Sequence, residues 1–223
     1  PDSADELGTD GFGGGWIGAW GYRLGARIEN LPTGPDRPIV QPDHRVGFYD
    51  LVLRRTRDGW WLESLGEPDP QRAADLLAAI NADAAPQRFE IGAFELTPTA
   101  DEHQQAVSKA LEHIAAGDIF QVNLCARLEA DFSGDPLDVF CVGVEKLRPA
   151  YAAYVSSPQG ELVSFSPELF LRRIGDEVLT SPIKGTAPLT ADPAELLASA
   201  KNRAENVMIV DLMRNDLGRV CSP

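Results

Sequence analysis

Long apolar runs are missing from the 223 residues: none approaches the roughly 18 that a membrane helix requires, which excludes a helical membrane span. Basic residues are also scarce. Twenty Lys and Arg stand against 34 Asp and Glu, a formal charge of -14. With no basic stripe carrying interleaved aromatics, such a chain repels a phosphate backbone, and nucleic acid is excluded as a partner. Cysteine is sparse: Cys125, Cys141 and Cys221 are odd in number and far apart, in apolar or strand-like surroundings. That pattern is neither a disulfide framework nor a metal cluster, and it fits a reducing cytoplasm. His44, His103 and His113 lack neighbours at ligand spacing, which argues against zinc. Internal repeats, low-complexity segments and a signal peptide are absent too, and both ends, Pro1 and Pro223, read as cuts.

What is present is the composition of a globular domain, 43% apolar and 24% charged, long enough to bury a core. Gly11 to Tyr22 (GFGGGWIGAWGY) is rich in glycine and aromatics. Its glycines precede and enter a strand, and no Lys-Ser or Lys-Thr pair follows, so it is not a phosphate loop. Strands are expected at Val46 to Arg54 and Trp60 to Leu65, joined across Arg57-Asp58-Gly59. Asp69-Pro70 opens a helix to about Ala82, and Ala84 to Pro98 reads as a connector. Thr99 and Glu102 form a capping box for a helix that stops at Gly117.

From Ile119 the period changes to two, with Phe120, Val122, Leu124, Ala126 and Leu128 on one face and Gln121, Asn123, Cys125, Arg127 and Glu129 on the other. A strand is expected there. A helix at Pro136 to Leu147 precedes strands around Ala152 to Val155, Glu161 to Phe165, Leu169 to Ile174 and Val178 to Thr180, the last two forming a hairpin at Gly175-Asp176. Asp192, Pro193 and Glu195 begin a helix expected to run unbroken to about Asn215. Strands and helices do not alternate as in βαβ units, which points to an α+β layered architecture.

Four places carry polar groups suited to chemistry. Glu205 shares a helical stripe with Met208, Ile209 and Leu212, so it is either a buried carboxylate needing a cation or a stripe-edge acid paired with Lys201 or Arg203; periodicity favours the second. Lys184, in Ser181-Pro182-Ile183-Lys184-Gly185-Thr186, is either a solvated loop charge or, if desolvated, a nucleophile. Glu168, after Ser164-Phe165-Ser166-Pro167, is a strand-end acid or a general acid. Gln121 and Asn123 line a pocket or satisfy backbone groups.

Taken in order, GFGGGWIGAWGY, GDIFQVNL (117 to 124), SFSPELF (164 to 170), SPIKGT (181 to 186) and KNRAENVMIVDLMRNDLGRV (201 to 220) resemble the chorismate-utilising enzymes, the family of anthranilate synthase component I, and within it the aminodeoxychorismate synthases. The resemblance spans nearly the whole chain. It implies an antiparallel, helix-flanked layered fold, present here only in its N-terminal and central portion over residues 1–223, with the C-terminal part missing. It also implies a cytoplasmic, folate-pathway enzyme that aminates chorismate with ammonia from a glutamine amidotransferase subunit. Lys184 is then the nucleophile, where anthranilate synthases typically carry alanine, and Glu168 the proton donor. Gly185, Thr186 and Gln121 contact substrate; Gln121 stands where isochorismate and salicylate synthases place a water-activating lysine. Glu205 matches a ligand for Mg2+. Asn202 departs from an acidic residue common in the family, which weakens the implied metal site. Anthranilate synthase component I is the alternative enzyme, and a non-catalytic fragment the alternative for this length of chain. Pro149-Ala150-Tyr151 loosely matches the wall of a tryptophan pocket in relatives.

Overall fold

The computed structural model describes residues 11–32, 34, 42–80, 88–188 and 190–222. Its elements are, in chain order, β1 (Gly15–Trp20), β2 (His44–Tyr49), β3 (Leu51–Thr56), β4 (Gly59–Ser64), α1 (Pro70–Ile80), β5 (Glu90–Ile91), β6 (Glu95–Thr97), α2 (Ala100–Ala116), β7 (Arg127–Glu129), β8 (Phe132–Ser133), α3 (Pro136–Leu147), β9 (Tyr151–Val155), β10 (Leu162–Ser166), β11 (Leu169–Ile174), β12 (Glu177–Ser181), α4 (Pro193–Ala198) and α5 (Ala200–Leu217); a short 3-10 helix, Tyr22–Arg27, follows β1. They group into two compact units, residues 1–84 with 142–223, and residues 85–141. No helix is long and apolar enough to cross a membrane among the described residues.

Among the described residues of the first unit the ladders are antiparallel pairs: β1 with β2, β3 with β4, β9 with β10, β11 with β12. The strand expected to run through residue 50 is instead two strands that separate at Asp50. That carboxylate accepts two hydrogen bonds from the Arg72 guanidinium in α1, at 2.7 and 2.9 Å, and the carbonyl of Asp50 accepts from the N–H of Leu65. A residue so engaged turns the chain from one hairpin into the next. The first helix starts as its sequence indicates, with the Asp69 side chain accepting from the N–H groups of Gln71 and Arg72. Helix α3 approaches β10 through Gly143, where a methyl group would lie 2.1 Å from the Phe165 ring.

The glycine-rich segment is fastened by one carboxylate. Glu63 of β4 accepts from the N–H of Gly13 at 3.0 Å and pairs with Arg54 across the β3–β4 ladder. The Gly13 amide and then the Arg54 guanidinium hold the Glu63 carboxyl below its ordinary 4.5.

In the second unit, β5 pairs with β8 and β6 with β7, again antiparallel, so the connector expected at 84–98 contributes two short strands, with residues 81–87 outside the described set. The capping box of α2 forms in full: Glu102 N–H donates to Thr99 Oγ1, the Glu102 carboxylate accepts from Thr99 N–H at 2.9 Å, and Gly117 closes the helix in the left-handed conformation. The long strand expected from Ile119 shrinks to Arg127–Glu129, because β6 is three residues long and supplies ladder partners only for those positions. Residues 121–126 carry the alternating pattern without a ladder, tied to α2 by His103 Nε2, 3.3 Å from the carbonyl of Leu124.

The described residues bury one hydrophobic side chain below a tenth of its surface, Leu51 at 7%, while Trp16, Trp20 and Phe48 of the β1–β2 ribbon are more than half exposed. Two-stranded sheets with open faces are marginal by themselves. The fold is α+β with antiparallel sheets and flanking helices, as expected.

Thr99→Ala, which removes the cap of α2, is expected to lower stability by about 1 kcal/mol, read as a shifted denaturant midpoint. For Glu63 the folded pKa is depressed, so its contribution is present above about 4.5 and is lost as pH falls through the lower folded value. Amide exchange at Gly13 should accelerate over that acid window in the wild type and show no such step in Glu63→Gln.

Candidate active site around Lys184

The hairpin β11–β12 arranges the site. Its register pairs Leu169 with Ser181, with a bulge between Leu169 and Arg172, and the chain turns at Gly175 in the left-handed conformation. Residues just outside the paired ends are therefore neighbours, which sets Glu168 beside the segment that follows β12. The Glu168 carboxylate accepts from the N–H of Ile183 at 3.1 Å. Ser166 fixes the base of this arrangement: its Oγ accepts from Glu168 N–H at 3.3 Å, and its hydroxyl donates to the Glu168 carbonyl at 3.1 Å. With Pro167 between them, the serine locks the turn out of which Glu168 projects. Pattern reading did not single out Ser166; the signal available was Ser-Pro-Glu, a hydroxyl one proline away from the acid.

Beyond Ile183 the chain passes through Lys184, half-buried, to Gly185 at φ +78°. Only glycine enters that conformation without strain. A Cβ on Gly185 would also fall 2.8 Å from Cγ of Asn202 and 2.9 Å from its Nδ2. The 181–186 segment thus lies against the start of α5.

That start exists because the helix expected to be continuous from Asp192 is broken. Asp192 caps α4 by accepting from Ala194 N–H at 2.9 Å, with Pro193 at the first position. Ser199 then adopts an extended conformation (φ -64°, ψ 112°), ends α4 and caps α5 by accepting from the N–H of Asn202 at 3.3 Å. A serine hydroxyl competes for backbone groups, and here it restarts the helix. Asn202 and Glu205 consequently stand three residues apart on the opening turns of α5, both half-buried.

Glu205 is the stripe-edge acid that periodicity favoured: its carboxylate is 3.7 Å from Lys201 Nζ, and its side chain is 42% exposed. Lys201 is more exposed still, so the pair contributes little to stability. Glu168, Lys184, Gly185 and Glu205 all belong to the first compact unit, and the contacts from Glu168 to Ile183 and from Gly185 to Asn202 link three of the sequence motifs. Thr186 is exposed in the same segment. Gln121 is exposed in the ladder-free stretch of the second unit.

The residues present do not complete a magnesium site. Such a hard cation takes about six oxygens. At the α5 start Glu205 already faces an ammonium and position 202 is an amide; no group of three His, Cys, Asp or Glu capable of holding a metal occurs among the described residues. A separate open cleft of about 640 Å³ lies between β2 and the loop after β9, lined by His44, Arg45, Tyr49, Ser156, Ser157 and Gln159 among others. Neither the Lys184 segment nor Pro149–Tyr151 is part of its lining.

The model of the chorismate binding enzyme family matches residues 2–223. The chain belongs to that family. Among curated chorismate binding relatives, aminodeoxychorismate synthase component 1 of Klebsiella aerogenes is 36% identical over 219 residues, covering 95% of this chain and 49% of its own length. The protein of the same name from Escherichia coli strain K12 is 36% identical over 216 residues, covering 94% of this chain and 48% of its own length. Anthranilate synthase component 1 1 of Haloarcula marismortui is 34% identical, covering 92% and 48% respectively. The chain thus spans about half the length of the curated relatives it matches. In fold it resembles the crystal structure of anthranilate synthase component I from Streptococcus pneumoniae, with a TM-score of 0.78 and 24% identity over 96% of this chain and 52% of that one. This fold likeness supports the layered, antiparallel architecture of the chorismate binding enzymes.

If the carboxylate of Glu168 holds the 181–186 segment, Glu168→Ala should raise amide exchange at Ile183 by about tenfold, the equivalent of one lost hydrogen bond. Glu168→Gln, which keeps an acceptor oxygen, should leave that exchange near the wild-type rate.

Proposed function

We propose that this chain carries the nucleophile-bearing part of an aminodeoxychorismate synthase large component, which converts chorismate and ammonia to 4-amino-4-deoxychorismate. The observation that carries this reading is the placement of Lys184 one residue beyond a backbone amide held by Glu168. Lysine in SPIKGT is the feature that separates the aminating enzymes from the anthranilate synthases, and the 36% identical relatives with that name support the same choice.

The chemistry follows from those two side chains. The neutral amine of Lys184 attacks ring carbon C2; its new C–N bond pushes the ring double bonds along, and the C4–O bond breaks. Glu168 uses one carboxyl oxygen to accept from Ile183, leaving the other to deliver the proton with which the departing hydroxyl becomes water. Ammonia then bonds to C4, the double bonds return, the C2–N bond breaks to release the lysine, and the proton shed by the new C4 ammonium restores the Glu168 carboxyl. The sum is chorismate plus ammonia giving aminodeoxychorismate plus water. Dividing the substitution between two displacements is the benefit of covalent catalysis. Gly185 and Thr186 offer a backbone N–H and a hydroxyl to the substrate. A glutamine amidotransferase partner supplies the ammonia, a role that the words "component 1" in the relatives' names support. No step is assigned to magnesium.

The test is product analysis on the full-length polypeptide with chorismate and ammonium. Aminodeoxychorismate is expected, convertible to p-aminobenzoate only when a lyase is added, and Glu168→Ala should slow it by roughly 10²- to 10⁴-fold. Anthranilate fluorescence without any lyase would overturn the reading in favour of the alternative enzyme.

A further inference from the structure

Lys184 sits between two pinned residues. On one side the N–H of Ile183 donates to the Glu168 carboxylate; on the other, the side chain of Asn202 occupies the space that a Cβ on Gly185 would need. The second contact is close enough that no methyl group fits, since an added Cβ would lie 2.8 Å from Asn202 Cγ, 2.9 Å from Nδ2 and 3.2 Å from Cβ. Asn202 is itself anchored, half-buried and with its N–H donated to the Ser199 hydroxyl that starts α5. Its carboxamide therefore packs on the Lys184–Gly185 turn, and it adds no charge beside Glu205 and Lys201, which already face each other.

We propose that Asn202 is a positioning residue for Lys184: by packing against Gly185 it holds the turn in the left-handed conformation and so fixes the direction in which the amine is presented, instead of serving as a cation ligand. The inference rests on the assignment of Lys184 as nucleophile. Displacement of a nucleophile by even 1 Å costs rate, not ground-state binding, so the expected signature lies in kcat.

The experiment compares the full-length enzyme with Asn202→Ala, Asn202→Asp, Gly185→Ala and the double variant Gly185→Ala/Asn202→Ala, using chorismate and ammonium over a range of magnesium concentrations. Asn202→Ala should lower kcat by about 10- to 100-fold while KM for chorismate stays within about twofold. Hydrogen exchange over residues 182–188, measured by mass spectrometry, should quicken in the same variant. Asn202→Asp, of the same shape, should restore most of kcat and the slow exchange. The double variant should be no worse than Gly185→Ala alone, since the collision has been removed and the two losses cannot add. Unchanged kcat and exchange in Asn202→Ala would overturn the inference, as would a defect that extra magnesium fully repairs, which marks a ligand. If the unsubstituted enzyme makes no aminodeoxychorismate, the reaction assignment falls and the inference with it; if it does and Asn202→Ala behaves as wild type, only the inference falls.

Discussion

One hydrogen bond organises the candidate site: the Glu168 carboxylate accepting from the N–H of Ile183. It joins the two arms of the β11–β12 hairpin just past the point where the ladder stops, and it fixes the acid and the lysine relative to each other before any substrate is present. Everything else in the site refers to that bond. Ser166 sets the direction from which Glu168 reaches, and Asn202 meets the chain again two residues after Ile183. A short hairpin is suited to this work because its register is dictated by pairing and by its turn, so two residues flanking the ends of the ladder are brought together without a long-range packing requirement.

Burial is what the described residues supply least. A lysine becomes a nucleophile near neutral pH when its ammonium is desolvated or placed beside other cations. Lys184 is half-buried, Glu168 is exposed, and one core side chain alone, Leu51, falls below a tenth of its surface. Charge interactions at such a place are muted by water. Geometry is therefore what the described residues contribute to the proposed chemistry, and exclusion of water is what they contribute least.

Much of this was legible in the residues. The turn at Gly175-Asp176 and the alternation on either side fixed the hairpin, and Glu168 and Lys184 lie at nearly equal distances from that turn, so their proximity follows from pairing alone. Capping chemistry located the starts of α1, α2 and α4, because an Asp or Thr side chain facing unpaired N–H groups is a local interaction. Two features were not legible. The alternating segment from Ile119 reads as a strand, yet a ladder depends on a partner, and β6 offers only three residues. Ser199 looks like an ordinary helical residue in the pattern that runs from Asp192, and its cap is visible only once the extended backbone at that position is known. The break places Asn202 at a helix start facing Gly185. For the metal expected from family resemblance, the described residues bring no three candidate ligands together, and the amide at 202 lies against Gly185, which no periodicity reveals.

The central claim is that the amine of Lys184 forms a bond to the substrate ring. Intact-mass analysis of the full-length polypeptide held with chorismate in the absence of ammonia, followed by peptide mapping, tests it most directly. The account predicts a mass gain equal to chorismate less one water, located on the peptide containing residues 182–186 and absent from Lys184→Ala. An adduct that survives in Lys184→Ala, or product formed by the wild type with no adduct at that peptide, would contradict it.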